Sequence, residues 1–563
     1  MGLFDSEIQI GITMRQNRNE DFIETAKNSP ITELANKLNY DLEKWIEFGT
    51  KPLPETIRVN PIHQEHNWTI SKLEELGAVR IEWVGKKTLG FQMPWIKGGA
   101  EDLEIRKLLQ SMHNSGRHTR QEAVSMIPAE LINPLPGECI LDSCAAPGSK
   151  STQLAELSED DAAIIANEPN KGRMNMLVTN RSRLGLRSLA ITQHDARNFP
   201  RIPQPGFDAI LADVPCSGTG TIRKNKGLWW NWKPAVSRSL HKLQLRITER
   251  CASLLKPGGR MVYSTCSIDP LENEVIVAKL LEKYEWLELE NIDVEEKLPG
   301  AKYDYGIDDL ESFIDEETFL NSPTEKSISQ LKNCIRIKPS QNDSGGFFIA
   351  MFRQIGDSEN AHALEHKENW PLGERDFPRD DHGAPIPLSA QRENELVSEW
   401  GEWNGFKGKL WQRGRTIIEA SNALGESFFE PRRIDGLGQK LPGNHWHPLK
   451  VRQLGRVAFK DSNSQGLRPK AELLRGHFSF PQKHIIEIKK PLLFKLLDDG
   501  VIPIEELNDS FKNERSGAIL LDIIWIDGRR LLPAWLGTGL RLLLDDNEKL
   551  ILQTQRRELN EEK

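Results

Sequence analysis

LDSCAAPGSKSTQLAEL, residues 141–157, decides the fold. A short apolar run ends in an acid, passes through a loop of small residues and opens into a helical stretch. The same plan recurs down the chain. CILDSC (139–144), AAIIAN (162–167), LAITQHD (189–195), FDAILAD (207–213) and RMVYSTC (260–266) read as buried strands, with helices expected over 149–157, 170–184 and 235–256. Strands alternating with helices imply a mostly parallel sheet covered on both faces. NCIRIKP (333–339) and GGFFIAMFR (345–353), joined by a polar turn, then add a closing antiparallel strand.

The opening loop is built for a ligand. Small residues at Ala145, Ala146 and Gly148 allow close backbone approach, and a helix opening at Gly148 or Ser149 attracts an anionic group. In open α/β sheets ligands bind at this carboxyl edge. The loop is neither GxGxxG nor a Walker motif, which disfavours a dinucleotide or a nucleoside triphosphate. Acids close successive strands at Asp142, Glu168, Asp195 and Asp213. One such acid is usually a cap or turn residue. Four in series point to a nucleoside-containing cofactor, with Glu168 placed for ribose hydroxyls and Asp195 for an adenine. S-adenosylmethionine suits the set: a carboxylate, a ribose, an adenine and no phosphate.

Two strand ends carry thiols, Cys216 in DVPCS and Cys266 in STCS. A lone cysteine is most often a small buried hydrophobe, the reading given to Cys139, Cys251 and Cys334. Cys144 is expected to contribute backbone to the cofactor loop. Cys216 and Cys266 differ because they end consecutive strands linked by one helix, and a right-handed crossover sets such strands side by side. A thiolate adding to carbon 6 of cytosine makes carbon 5 nucleophilic enough to accept a methyl group, which is covalent catalysis. Lys150 is the candidate cation to ionise a thiol, and Asp213 the candidate partner for the ring's N3/N4 edge.

The 563-residue chain has room for more than one domain; its mean hydropathy is −0.51 and its net charge −8. No apolar stretch approaches the ~20 residues of a membrane helix. The first residues lack the pattern of a secretory signal, and six scattered cysteines without a CxxC pair suit a reducing compartment and argue against a zinc knuckle. The expectation is a cytoplasmic protein that needs neither membrane nor metal. Residues 217–256 hold nine Lys/Arg against one acid, Glu249. Arg223, Lys224 and Lys226, followed by Trp229, Trp230 and Trp232, suit phosphate contact and base stacking, with buried packing the competing reading for two of the tryptophans.

These motifs resemble the Sun-type (NOL/NOP/Sun) RNA cytosine-5 methyltransferases, particularly the tRNA-modifying branch. LDSCAAPGSKSTQ, ADVPCSGTGTIRKN, LQLRITERC, GGRMVYSTCSIDPLENE and CIRIKPSQNDSGGFF carry the resemblance, over about residues 25–355. It implies a seven-stranded, Rossmann-like, S-adenosylmethionine-dependent fold. It also implies Cys266 as nucleophile, Cys216 as the group assisting release, and Lys150 and Asp213 in support. Cys144, Ala145, Ala146, Pro147, Gly148, Ser149, Lys150, Glu168, Asp195 and Asp213 would bind the cofactor. Glu168 stands where many relatives have Asp, and either acid can hold a ribose. The expected substrate is tRNA. Ribosomal RNA is the alternative, followed by a non-catalytic RNA-binding or assembly factor on the same scaffold.

The expected organisation is an N-terminal RNA-binding α/β extension (1–115), a catalytic domain (116–355), a linker (356–390) and a separate β-rich, PUA-like domain (391–563). In the extension, TIRVN (56–60), TISKLEELG (69–77) and AVRIEWV (78–84) read as strand, helix and strand in a βαβ-like unit. The acidic segment 282–325 reads as a solvated insertion.

Overall fold

One sheet positions the site. Its seven principal strands are β1 (Cys139–Asp142), β2 (Ala163–Asn167), β3 (Leu189–Thr192), β4 (Phe207–Asp213), β5 (Leu255–Thr265), β6 (Ile335–Ile337) and β7 (Phe347–Gln354). The computed structural model describes residues 21–202, 205–314, 322–356, 383–404, 408–429, 446, 449–462, 466–475 and 480–561. Strand order is β3-β2-β1-β4-β5-β7-β6. β1 to β5 run parallel, and β7 enters antiparallel to both β5 and β6. Neighbouring residues on a strand enter different cores. Leu141, Ile210 and Met261 join one cluster, and Ile140, Leu211 and Val262 the other. Two buried faces explain why these strands read as unbroken apolar runs rather than alternating ones.

Three further strands widen this sheet. Leu287–Leu289 pairs with β7, Asp304–Tyr305 with β6 and Val451–Leu454 with β3. The first two lie in the acidic segment read as a solvated insertion. That reading is corrected, because Leu287, Leu289, Val294, Leu298 and Leu310 are buried. Residues 315–321 lie outside the described set.

The C-terminal half is β-rich, as expected, with two five-stranded sheets. It does not stand apart. Val451–Leu454 covers the open hydrogen-bonding edge of β3, and Ser421 Oγ donates to Ala162 O at 2.7 Å. Of the expected linker, residues 357–382 lie outside the described set. Residues Ile386–Pro387 are already a strand paired with Trp411 and Gln412, so the C-terminal half begins earlier than 391.

The N-terminal module also departs from expectation. It is a four-stranded antiparallel sheet in the order Val79–Arg80, Gly90–Ile96, Pro54–Val59, His118–Arg120, not a βαβ unit. AVRIEWV gives only a two-residue strand before a 3-10 turn at Glu82–Val84. The missing strand is GFQMPWI, whose Gly90 and Pro94 obscure the β pattern in sequence. The strand at His118–Arg120 carries this module past the expected boundary at residue 115.

Two buried ionic junctions fix the module in place. Arg58 reaches Glu156 through Nε at 2.7 Å and Nη2 at 2.9 Å, gripping the helix Ser149–Leu157 just behind the small-residue loop. Arg117 and Arg530 alternate with Glu65 and Glu548 in a closed quartet, with contacts of 2.5, 3.0, 2.5 and 2.8 Å. Buried charges survive only when fully paired, and removing one partner costs about 3–5 kcal/mol.

Candidate active site

The parallel register of β4 and β5 sets Ala212 against Tyr263 and Asp213 against Ser264. The residues just beyond these ends must therefore meet. Cys216 Sγ and Cys266 Sγ lie 3.1 Å apart, and both are free thiols. Burial alone does not bring them together; the two turns are stitched to each other. Gly220 N donates to Cys266 O at 2.8 Å, and Ile268 N donates to Thr219 Oγ1 at 2.9 Å. A Cβ at Gly220 would fall 2.3 Å from Gly346 O, so only glycine fits where the two turns cross β7.

Glu272, fully buried, is the centre of this stitching. Its carboxylate accepts from Ser217 N (2.8 Å) and Ser217 Oγ on the Cys216 side, and from Ser267 Oγ (2.7 Å) on the Cys266 side. Ser237 Oγ (2.9 Å) and Gln244 Nε2 (2.8 Å) donate from the helix Pro234–Ala252. One side chain thus joins three segments: the two turns and the helix. Sequence reasoning missed it. The only signal was the close spacing of Asp269, Glu272 and Glu274 after the second thiol, which looks like a solvated acidic turn.

Lys150 and Asp213 stand beside the thiols. Lys150 Nζ donates to Asp213 Oδ2 at 2.7 Å, and Ser264 Oγ donates to Asp213 Oδ1 at 2.8 Å. Burial disfavours the Lys150 charge, but Asp213 outweighs it and holds the ammonium above its usual range; Cys266 is among the groups that act on it. The Cys216 thiol is pushed well up, first by its hydrogen bond with Cys266 and then by burial, with Glu272 and Asp213 adding to the effect.

The small-residue loop is held from outside. Arg173 Nη2 donates to Ala146 O and Asn180 Nδ2 to Pro147 O, both at 2.8 Å. Gly148 has φ +107°, and a Cβ there would lie 2.7 Å from Leu177. As the cap of the helix Ser149–Leu157 it has no side chain to bond the first N–H groups. Cys144 packs its side chain into the core, where burial pushes its thiol well up, in keeping with a backbone contribution only. Asp142 is buried, accepts from Ser151 Oγ at 2.6 Å and leaves Oδ1 without a partner. Burial raises its carboxyl to about 7.

A cavity of about 270 Å³ is lined by Asp142, the loop from Cys144 to Pro147, Ser149, Lys150 and Asp213. Arg120, Gln121, Glu122 and Ser125, a contribution from the N-terminal side that sequence reasoning missed, also line it, together with Lys224. Glu168 and Asp195 lie outside this lining. Glu168 is buried, accepts from Asn170 N at 2.8 Å and faces Arg173 at 3.4 Å. Asp195 is exposed and ion-pairs with Arg197 at 2.6 Å, which holds its carboxyl below the usual range.

Of the three expected RNA contacts, Arg223 is corrected. It is buried, bonding the carbonyls of Lys51, Pro52 and Ser344 and the carboxylate of Asp343 at 2.7 Å. Lys224 and Lys226 are exposed. Trp229 and Trp232 are buried packing residues, whereas Trp230 is 52% exposed.

The family model for 16S rRNA methyltransferase RsmB/F matches residues 129–353. The chain is 34% identical over 388 residues to the multisite-specific tRNA:(cytosine-C(5))-methyltransferase of Saccharomyces cerevisiae, covering 60% of this chain and 56% of that one. It is 35% identical over 332 residues to the tRNA (cytosine(49)-C(5))-methyltransferase of Pyrococcus abyssi, covering 58% and 96%. It is 32% identical over 414 residues to the ribosomal RNA small subunit methyltransferase F of Vibrio parahaemolyticus, covering 72% and 77%. A solved methyltransferase homologue from Pyrococcus horikoshii aligns at TM-score 0.43 and 28% identity, over 56% of this chain and 90% of that one. The chain spans about half the length of several curated relatives, at 56%, 43% and 59% for those from budding yeast, fruit fly and fission yeast. With relatives at 35% and 32% identity spanned over 96% and 77% of their own length, the chain belongs to the Sun-type family of RNA cytosine-5 methyltransferases.

Proposed function

We propose that this protein methylates carbon 5 of cytosine in RNA, with tRNA as substrate and S-adenosylmethionine as donor. One observation carries the reading: two free thiols in contact at adjacent strand ends, beside a lysine–aspartate pair that lines the small-residue cavity. The residues present suit the cofactor. An uncapped helix start and the glycine cradle at Gly148 suit its carboxylate, and Glu168 and Asp195 are carboxylates of the kind that accept from a ribose and an adenine. When bound, S-adenosylmethionine supplies an electrophilic methyl group.

The chain's own residues do the rest. Cys266 Sγ, as thiolate, forms a bond to carbon 6 of the ring, and Lys150 supplies the positive neighbour that a thiolate needs. Asp213, fixed by Ser264 and Lys150, accepts from the ring's N3/N4 edge and holds it over the thiol. After carbon 5 is methylated, loss of its proton and cleavage of the sulfur–carbon bond restore the aromatic ring. Cys216, in contact with Cys266, assists this release. Lys224 and Lys226 contact the RNA, and the N-terminal module and the PUA-like reading of 391–563 supply the wider grip. Family relatives named for tRNA support that substrate. The small-subunit rRNA alternative is favoured by a different fact, since the Vibrio relative covers the larger share of this chain. Six free cysteines suit action in the cytoplasm; among the described residues no helix is long and apolar enough to cross a membrane.

The test is incubation with transcribed tRNA or small-subunit rRNA and labelled cofactor, followed by mapping of 5-methylcytosine. Label at a tRNA cytosine is expected. Label only in rRNA would transfer the assignment to the alternative, and label in neither would reject the activity.

A further inference from the structure

Arg120, Gln121, Glu122 and Lys224 wall the catalytic cavity on one side and a second recess of about 250 Å³ on the other. The floor of that recess is apolar. Pro52, Leu53 and Pro54 lie at the entrance to the first N-terminal strand, and Ile96, 48% exposed, ends its neighbour. Its walls are fixed. The Arg223 guanidinium bonds the carbonyls of Lys51 and Pro52, and Trp95 Nε1 donates to Glu55 at 2.9 Å. Glu55 in turn ion-pairs Arg120 at 3.0 Å, which holds that planar cation at the junction of the two cavities. Lys97 and Lys224 also line the recess, and neither has an ion-pair partner among the described residues. Glu122 Oε1 accepts from Gly345 N at 3.0 Å, and the Lys224 charge acts on this carboxylate at the edge of the recess.

An apolar floor beside Lys97 and Lys224, neither ion-paired among the described residues, with the Glu122 carboxylate at its edge, matches a base, a phosphate and a base-edge amino or imino group. Single-stranded RNA is held in this way, by stacking and by backbone charge. We propose that this recess takes the nucleotide adjoining the target cytosine, so that the enzyme splays two consecutive nucleotides into neighbouring pockets. The inference rests on the RNA reading above. Base on the floor, phosphate between Lys97, Arg120 and Lys224, the neighbour would hold the strand taut while the target base reaches Asp213 and Cys266.

The experiment uses the full chain and a tRNA that it methylates, ligated from synthetic pieces with an abasic residue immediately 5′ or 3′ of the target. The wild type is expected to lose about tenfold in kcat/KM for one flank and not for the other. Ile96→Trp, which fills the recess from an exposed position, is expected to lose a similar factor on intact RNA, to be indifferent to the abasic site, and to bind S-adenosylmethionine unchanged. Equal kcat/KM on intact and abasic RNA would overturn the proposal. So would a fall in cofactor affinity of Ile96→Trp in step with kcat/KM, which would give the recess to the cofactor. Absence of transfer to intact tRNA and rRNA alike would instead remove the RNA reading, and this inference with it.

Discussion

Cys216 leaves its strand across Val214 and Pro215, whereas Cys266 follows directly on Thr265. Both are followed by a serine bound to the same Glu272 carboxylate, so the two turns share an anchor. Their surroundings diverge. Around Cys216 the neighbouring charges are negative, Glu272 and Asp213, and the thiol is pushed well up. Cys266 instead acts on Lys150, the one cation of the Lys150–Asp213 pair. Two nearly identical sequence patterns thus become chemically unequal through the side chains that the fold sets around each thiol. The two thiols are set apart by their neighbours, Cys266 within the field of a cation and Cys216 beside carboxylates.

The sharpest way to break this comparison is to exchange the losses. Cys266→Ala is expected to lower methyl transfer by about 10⁴-fold or more and to abolish any protein–RNA adduct on a denaturing gel. Cys216→Ala is expected to form the adduct and fail to release it, lowering turnover by about 10²–10⁴-fold. An adduct trapped by Cys266→Ala, and none by Cys216→Ala, would reverse the roles. Glu272→Gln tests the shared anchor, because an amide turns a donor toward at least one of the groups that now donate to the carboxylate. A fall of about 10²-fold in single-turnover transfer is expected, with cofactor binding retained, since small displacements of reacting groups have effects of that size. A folded variant with wild-type transfer would show that the turns hold their own geometry.

The smallest effect concerns the strand next to β4. Burial raises the Asp142 carboxyl to about 7, so the fold favours its neutral form. That contribution is fully present at acid pH and is lost as pH rises from the usual carboxyl range through about 7. Asp142→Asn does not titrate. Its Tm relative to wild type is therefore expected to climb by about 3 °C or more between pH 4 and pH 8. A constant difference across that range would mean that Asp142 is ionised in the fold throughout.

Much of this was legible because it is local. Each of β1 to β4 is a short apolar run with an acid at its end or within three residues beyond it, and the helix between β4 and β5 is long enough to force a parallel crossover. That crossover places the strand ends of Cys216 and Cys266 side by side, and the bonds between their turns complete the contact. Glu272 was not legible, because its role depends on donors from Ser217, Ser237, Gln244 and Ser267, which only the folded chain assembles. Arg223 was misread for the converse reason. Sequence displays its charge beside Lys224, but not the carbonyls of Lys51, Pro52 and Ser344 that claim it. Val451–Leu454 carries no mark that it will extend β3, since an added edge strand needs only free backbone groups to pair with.

The quartet of Glu65, Arg117, Arg530 and Glu548 has a consequence for synthesis on the ribosome. Arg117 emerges early, and its partner Glu548 lies 431 positions further along. Until that later segment is made, Arg117 has Glu65 beside it but not Glu548, and the quartet stays open. The catalytic wall built by Arg120, Gln121 and Glu122 follows Arg117 by only a few residues, so its final setting waits as well. A nascent chain with its thiols already in place would then await a settled wall until residue 548 had been translated. Ribosome-stalled chains ending before and after residue 548 would reveal this as a step in protease resistance of the N-terminal sheet.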